Sequence, residues 1–201
     1  MSLGFFGGSF DPPHFGHIAM AKEAIDFLGI DVLNVCPVGS PFGKKNINSQ
    51  DYLKRFHMAD VAFSGINKLK VVDWEKKDDA SYTIKTVQSL RQRVGDSVEV
   101  YLIMGLDSFL SISSWKQYEC LLSTTKVVVF LRGENGREKF NQMVNKLTDL
   151  SIITDNIICM NSKIPDIASS DIRKKILEGG SVNTMLPEEV ERLYRSYLEV
   201  N

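Results

Sequence analysis

Short apolar runs alternate with segments of helical spacing along the whole 201-residue chain, and this alternation narrows the fold more than any other feature. The runs lie near Leu3–Phe6 and at Val32–Val38, Lys68–Asp73, Val98–Met104, Lys126–Leu131 and Ile157–Met160. Between them apolar residues recur every three or four positions: Ile18, Ala21, Ile25 and Leu28 up to a capping Gly29, then Ile84, Val87, Leu90 and Val94 behind a capping Ser81. Phe140, Met143, Val144, Leu147 and Leu150 mark a later helix. A further helix over about Asp51–Phe63 turns Leu53, Phe56, Ala59 and Phe63 inward, with Arg55 and His57 off that stripe and His57 at the surface. Strands separated by helices must pair in parallel, because each helix carries the chain back to the same sheet edge. No linker, repeat or low-complexity tract interrupts the pattern. The expectation is an α/β fold: a single Rossmann-like, doubly wound parallel sheet of about six strands with C-terminal helices, one domain over 1–201. At 43% hydrophobic, such a chain buries roughly 70% of the surface its unfolded form exposes around a single core.

The first run leads directly into Gly7-Gly8-Ser9-Phe10-Asp11-Pro12-Pro13-His14-Phe15-Gly16-His17. Paired glycines allow a sharp turn and close approach of a ligand, and paired prolines stiffen the loop ahead of Gly16. Two of the chain's three histidines fall here, three residues apart at a helix entrance, so their rings face one concavity. A Gly/Pro turn with two solvated histidines is the competing reading. A strand, a Gly-rich loop and a helix start also present backbone N–H groups and a helix dipole to an anion. The loop is neither a P-loop nor a G-x-G-x-x-G fingerprint, which argues against a redox dinucleotide enzyme.

Composition excludes several other classes. The net charge of −1, from 24 basic and 25 acidic residues, supplies no general field for nucleic acid or an anionic membrane. Cys36, Cys120 and Cys159 are odd in number and widely spaced, as reduced thiols of a cytoplasmic protein are. No apolar run approaches the length of a membrane helix, and no charged leader precedes an apolar segment.

Further candidates lie where strands end. Lys44, in a loop after the second run, is placed either for a phosphate contact or as a solvated lysine. Gly105 and Asp107 follow the longest apolar run, where a carboxylate suits ribose hydroxyls or a helix cap. Trp115 either borders the site or packs in the core with Tyr118, Leu121 and Leu122. Ile167-Ala168-Ser169-Ser170-Asp171-Ile172-Arg173 opens a helix that runs to Gly179-Gly180, offering two hydroxyls, free N–H groups and a guanidinium one turn in. An ordinary serine cap with a surface arginine competes with an anion clamp. Pro187 starts a last helix with Val190, Leu193, Tyr194 and Leu198 inward.

The string from Gly7 to His17 closely resembles the opening motif of the nucleotidyltransferases with an H-x-G-H signature, particularly the bacterial nicotinate-nucleotide adenylyltransferases. The resemblance extends over nearly the whole chain. Asp73-Trp74-Glu75 through Ser81-Tyr82-Thr83-Ile84 looks like the family's segment before its third helix; Gly105 and Asp107 match its G-x-D, and Trp115 its tryptophan. Ile167–Arg173 resembles the second signature, I-S-S-T-x-I-R, with Ala168 for the first serine and Ser170 for the threonine. Gly43 stands where the family's Pro-x-His-Lys stretch has histidine, and Lys44 matches its lysine. The resemblance implies transfer of AMP from ATP to nicotinate mononucleotide, giving deamido-NAD and pyrophosphate. It implies His14, His17 and Arg173 as catalytic groups and Gly7, Gly8, Ser9, Phe10, Gly105, Asp107, Ser169 and Ser170 at ATP. Lys44, Tyr82, Thr83 and Trp115 would then lie at the pyridine nucleotide. No cluster of metal-ligating side chains stands out, so Mg²⁺ is expected to arrive with ATP. Both histidines suit an anion as donors whose charge responds to it. A nicotinamide-mononucleotide enzyme and a non-catalytic nucleotide-binding paralogue are the alternatives; a pantetheine-phosphate enzyme is disfavoured because that group usually lacks the first histidine. No nucleic acid or membrane partner is expected, and a homo-oligomer stays open.

Overall fold

The computed structural model describes residues 1–39, 49–76, 82–95, 97–152, 154–161 and 163–199. Six parallel strands form one sheet: β1 (Ser2–Gly8), β2 (Val32–Pro37), β3 (Leu69–Val71), β4 (Glu99–Gly105), β5 (Lys126–Phe130) and β6 (Ile157–Met160). Their order is β3-β2-β1-β4-β5-β6, that of a Rossmann sheet. Successive residues of each strand face opposite sides, so Phe6, Ile103 and Val128 enter one core while Phe5, Leu102 and Val127 enter the other. This is why the strands read as continuous apolar runs.

Helices α1 (Phe15–Leu28), α2 (Ser49–Phe63), α7 (Ser169–Leu177) and α8 (Glu188–Glu199) cover the first face. The second is covered by α3 (Thr83–Val94), α4 (Leu106–Leu110), α5 (Tyr118–Thr124) and α6 (Gly136–Asp149). Gly29 ends α1 in the left-handed conformation at φ 60°, its N–H bonded to Ile25 O. The third strand is shorter than its apolar run, because β3 is an edge strand paired only over Leu69–Val71.

Helix α2 turns differently from its sequence periodicity. Tyr52, Arg55, Met58, Ala59, Ala62 and Phe63 face inward, whereas Leu53 is 51% exposed. Burying Arg55 in place of Leu53 rotates the helix by part of a turn, and the carbonyl acceptors that Arg55 finds below make that rotation favourable. Helix α8 packs on α2 and leaves Leu198 exposed.

The register places the site. β1 and β4 pair only as far as Phe6 opposite Ile103, while β1 and β2 continue to Gly8 opposite Pro37. Beyond Ile103, Met104 and Gly105 keep only their pairing with β5. The two central strands part at their carboxyl ends, at the point where strand order reverses, and a crevice opens between them.

Candidate functional site

Two cavities of about 600 and 500 Å³ lie over this crevice. Both are lined by Gly7, Gly8, Ser9 and Ser108, so they meet over the end of β1. The larger is bordered by Tyr82, Thr83, Trp115 and Lys116; the smaller by Phe10, His14, His17, Gly105, Asp107, Arg132, Ser169 and Arg173.

His14 caps α1, and the two histidines bond reciprocally. The His17 N–H donates to His14 Nδ1 at 3.4 Å, and the His14 N–H donates to His17 Nδ1 at 3.3 Å. This is the geometry of a capping box with imidazoles in place of the usual hydroxyl and carboxylate. Each Nδ1 accepts from a backbone N–H and therefore carries no proton, which assigns the ring proton to Nε2 in both. The rings stack with centroids 3.7 Å apart. His14 is 5% exposed, and burial first, then the Arg132 charge, lowers its pKa to about 4. Burial, His14 and Arg132, in that order, hold His17 well below the ordinary imidazole value. Without a bound anion both rings are thus neutral at pH 7 and carry their proton on Nε2. Gly16 makes this packing possible, since a Cβ there would lie 3.0 Å from the His14 ring and 3.0 Å from Pro165 O.

The loop before them is held from below. Phe10 has φ 47°, a left-handed backbone unusual for a large side chain, and its ring packs edge-on against Phe6, His17 and Phe63. The ring lies in the core, which leaves the backbone as what Phe10 offers to the cleft.

Helix α7 closes the smaller cavity. The Ser169 hydroxyl donates to Pro12 O at 2.9 Å, and Arg173 Nη1 donates to Asp11 O at 2.7 Å, with Asp11 Oδ2 3.7 Å away. The Ser170 hydroxyl is exposed and faces the Asp171 carboxylate, and Ser170 lines neither cavity, so of the two serines only Ser169 borders the cleft. Gly105 caps α4 and Asp107 lies in its first turn, paired with Arg132.

On the other side, the N-cap of α3 is Tyr82 and not Ser81, which lies outside the described residues; Tyr82 makes no side-chain cap, so the free N–H groups of the helix start lie where Tyr82 and Thr83 line the larger cavity. Trp115 lies in the connection between a 3-10 turn at Ile112–Ser114 and α5, not on a helix. Lys116 Nζ sits 4.5 Å from the Tyr82 ring centroid. Lys44 lies outside the described residues. Among the described residues no group of three or more His, Cys, Asp or Glu could hold a metal ion. No described helix is long and apolar enough to cross a membrane.

Sequence reasoning missed Arg132, Arg55 and Lys116. Arg132 follows the apolar end of β5 and reaches Asp107 and Ile167 O, and an arginine just past a strand's carboxyl end was its signal. Lys116 stands beside the tryptophan that drew attention. Arg55 had no signal, because an arginine on a helix reads as solvated.

Comparison with known proteins accords with this arrangement. The model of the cytidylyltransferase-like family matches residues 5–175. A protein of Clostridium kluyveri named probable nicotinate-nucleotide adenylyltransferase is 33% identical over 92% of this chain and 92% of its own. Another with that name from Clostridium tetani is 30% identical over 96% of this chain and 95% of its own. Among solved structures, the Plasmodium falciparum nicotinic acid mononucleotide adenylyltransferase complexed with NaAD shares the fold at a TM-score of 0.79 and 17% identity. It covers 98% of this chain and 95% of that one. With its sheet order, its divided crevice and a family match spanning most of its length, the chain belongs to the cytidylyltransferase-like family.

Proposed function

We infer that this protein is a nicotinate-nucleotide adenylyltransferase, which joins AMP from ATP to nicotinate mononucleotide and releases pyrophosphate in the synthesis of NAD. The observation that carries the reading is the pair of cavities meeting over Gly7–Ser9, one for each nucleotide, with the imidazoles on one side of the junction. The names of relatives at about this chain's own length agree with it.

The chemistry requires no general base. A phosphate oxygen of the acceptor, already an anion, attacks the α-phosphorus of ATP; the bond from that phosphorus to the bridging oxygen breaks, and pyrophosphate leaves with the electron pair. Catalysis is then positioning and stabilisation of charge on the equatorial oxygens. His14 and His17 suit this as Nε2–H donors needing no reorganisation. Gly7, Gly8, Ser9 and Phe10 offer backbone donors; Gly105 and Asp107 border the ribose; Ser169 and Arg173 stand at the triphosphate tail, with Arg132 between. Tyr82, Thr83 and Trp115 would receive the pyridine ring, its carboxylate at the α3 N-terminus, and Lys44 would meet the acceptor phosphate. Asp11 and Asp107, the carboxylates lining the smaller cavity, are paired with arginines, a donor set suited to Mg²⁺ bound to ATP and not to a protein-held ion. Mg²⁺ carried in on the ATP phosphates would supply charge neutralisation for the leaving pyrophosphate.

A pyrophosphate-release assay with ATP and a panel of acceptors tests the reading. Nicotinate mononucleotide should be turned over fastest, because helix-start N–H groups favour the extra carboxylate. Equal or faster turnover of nicotinamide mononucleotide would promote the nicotinamide-preferring alternative, and no turnover of any acceptor would point to a non-catalytic nucleotide binder.

A further inference from the structure

Arg55 is 4% exposed, yet it lies on a helix face outside the cleft. Its guanidinium is spent on main-chain carbonyls from two loops. Nη1 donates to Ser9 O at 2.9 Å, and Nη2 donates to Val38 O at 2.8 Å and Gly39 O at 3.0 Å. Among the described residues Nε is buried with no acceptor. Burial pulls its pKa down from the ordinary value and Asp11 pushes it back, but a guanidinium stays a cation throughout. Retaining a charge there with one N–H unsatisfied is unfavourable, so the residue must do something an apolar side chain would not.

The geometry of the peptide shows what that is. A trans peptide is planar, and its C=O and N–H point in opposite directions. Among the described residues the only cis bond is Asp11–Pro12, so the Ser9–Phe10 unit is trans. Arg55 draws the Ser9 carbonyl inward, which turns the Phe10 N–H the other way, toward the cleft that Ser9 and Phe10 line. Among the described residues nothing accepts from that N–H. The left-handed φ of 47° at Phe10 is the strained conformation this orientation requires, and an over-determined setting is what sustains such strain.

We propose that Arg55 is a positioning residue: by holding the Ser9 carbonyl it fixes the Ser9–Phe10 peptide so that the Phe10 N–H donates to a phosphate oxygen of bound ATP. The same fork ties this loop to the end of β2 through Val38 and Gly39, so the donor is set relative to β1 and β2 together. This inference rests on the cleft's taking ATP and is independent of the acceptor.

The test uses the whole chain, labelled at its 11 phenylalanines for amide NMR, with the Phe10 signal identified by its loss in Phe10→Leu. On addition of a non-hydrolysable ATP analogue, the Phe10 amide proton should move downfield in the wild type. In Arg55→Met that movement should vanish and the analogue should bind about 10-fold or more weakly, the scale of one lost charged-acceptor hydrogen bond. Arg55→Lys keeps the charge without the planar fork and should also lose the shift, which leaves a test if Arg55→Met folds poorly. Leu147→Ala, a cavity in the opposite core, controls for destabilisation alone and should keep both shift and affinity. A wild-type Phe10 amide that ignores the analogue, or an Arg55→Lys protein with wild-type shift and affinity, overturns the proposal. Pyrophosphate release by the wild type judges adenylyl transfer separately, because the amide signal reports phosphate contact whatever the acceptor.

Discussion

A histidine at a helix N-cap is an unusual choice, and the reciprocal bonding of His14 and His17 explains it: backbone N–H groups occupy both Nδ1 atoms and leave both Nε2–H groups for a ligand. Because the two rings are buried together, this arrangement depends on pH. His14 has a folded pKa of about 4 against an ordinary 6.5, so between those values the unfolded chain binds a proton that the folded one refuses. Its contribution is complete above about pH 6.5 and is lost as pH falls through about 4, on the order of 3 kcal/mol in all. The melting temperature should therefore fall on acidification from pH 6.5 to 4, and less steeply in His14→Asn, which keeps a cap oxygen for the His17 N–H. Thermal melts across that range check it, and parallel slopes would remove the assignment. His17→Ala should lower turnover on the order of 10²- to 10³-fold with little loss of folding, the effect of deleting one preorganised donor. His57, exposed and bonded to Tyr197 at 2.8 Å, supplies the comparison: His57→Ala should leave turnover near wild type. If His17→Ala instead loses melting temperature and activity together, its role is structural.

At the scale of elements, α7 is both a helix start aimed at an anion and the staple that shapes the β1–α1 loop. Ser169 and Arg173 reach Pro12 and Asp11 carbonyls 157 and 162 residues away in sequence. A guanidinium that holds a carbonyl with one nitrogen keeps other N–H groups for phosphate, so the two roles are compatible. Arg173→Ala should raise the ATP concentration needed for half-maximal rate about 10-fold or more, and Arg173→Lys should recover only part of it, since an ammonium lacks the planar fork. Ser169→Ala should change the melting temperature more than the ATP dependence, because its hydroxyl is committed to Pro12 O. Steady-state titration of ATP with parallel melts separates the two; an unchanged ATP dependence in Arg173→Ala would make that residue a staple alone.

Across the whole molecule, the sheet separates stability from the site. Leu147 on α6 is fully buried in the core that faces away from α1 and α7, so Leu147→Ala should lower stability by about 2–5 kcal/mol. Denaturant unfolding would read that loss, while the ATP and acceptor dependences of the remaining folded enzyme should match the wild type. The order of strands and helices was legible from the chain because the central parallel strands are buried on both faces and each helix on one, patterns local enough to read by eye; Ile157–Met160 has the same bounds in both. The Gly7–His17 and Ile167–Arg173 strings were legible for a related reason, since a backbone cradle needs its residue types at consecutive positions. Sequence alone therefore determined the fold class, the family resemblance and most of the residues at the crevice. Tertiary structure alone decided the inward face of α2, the commitment of Ser169 to Pro12, the pairing of Arg132 with Asp107 and the neutrality of both histidines. Arg55 shows the reason most clearly. Its place is set by carbonyls 46, 17 and 16 residues away, and whether a buried charge finds acceptors depends on long-range placement that no local pattern encodes.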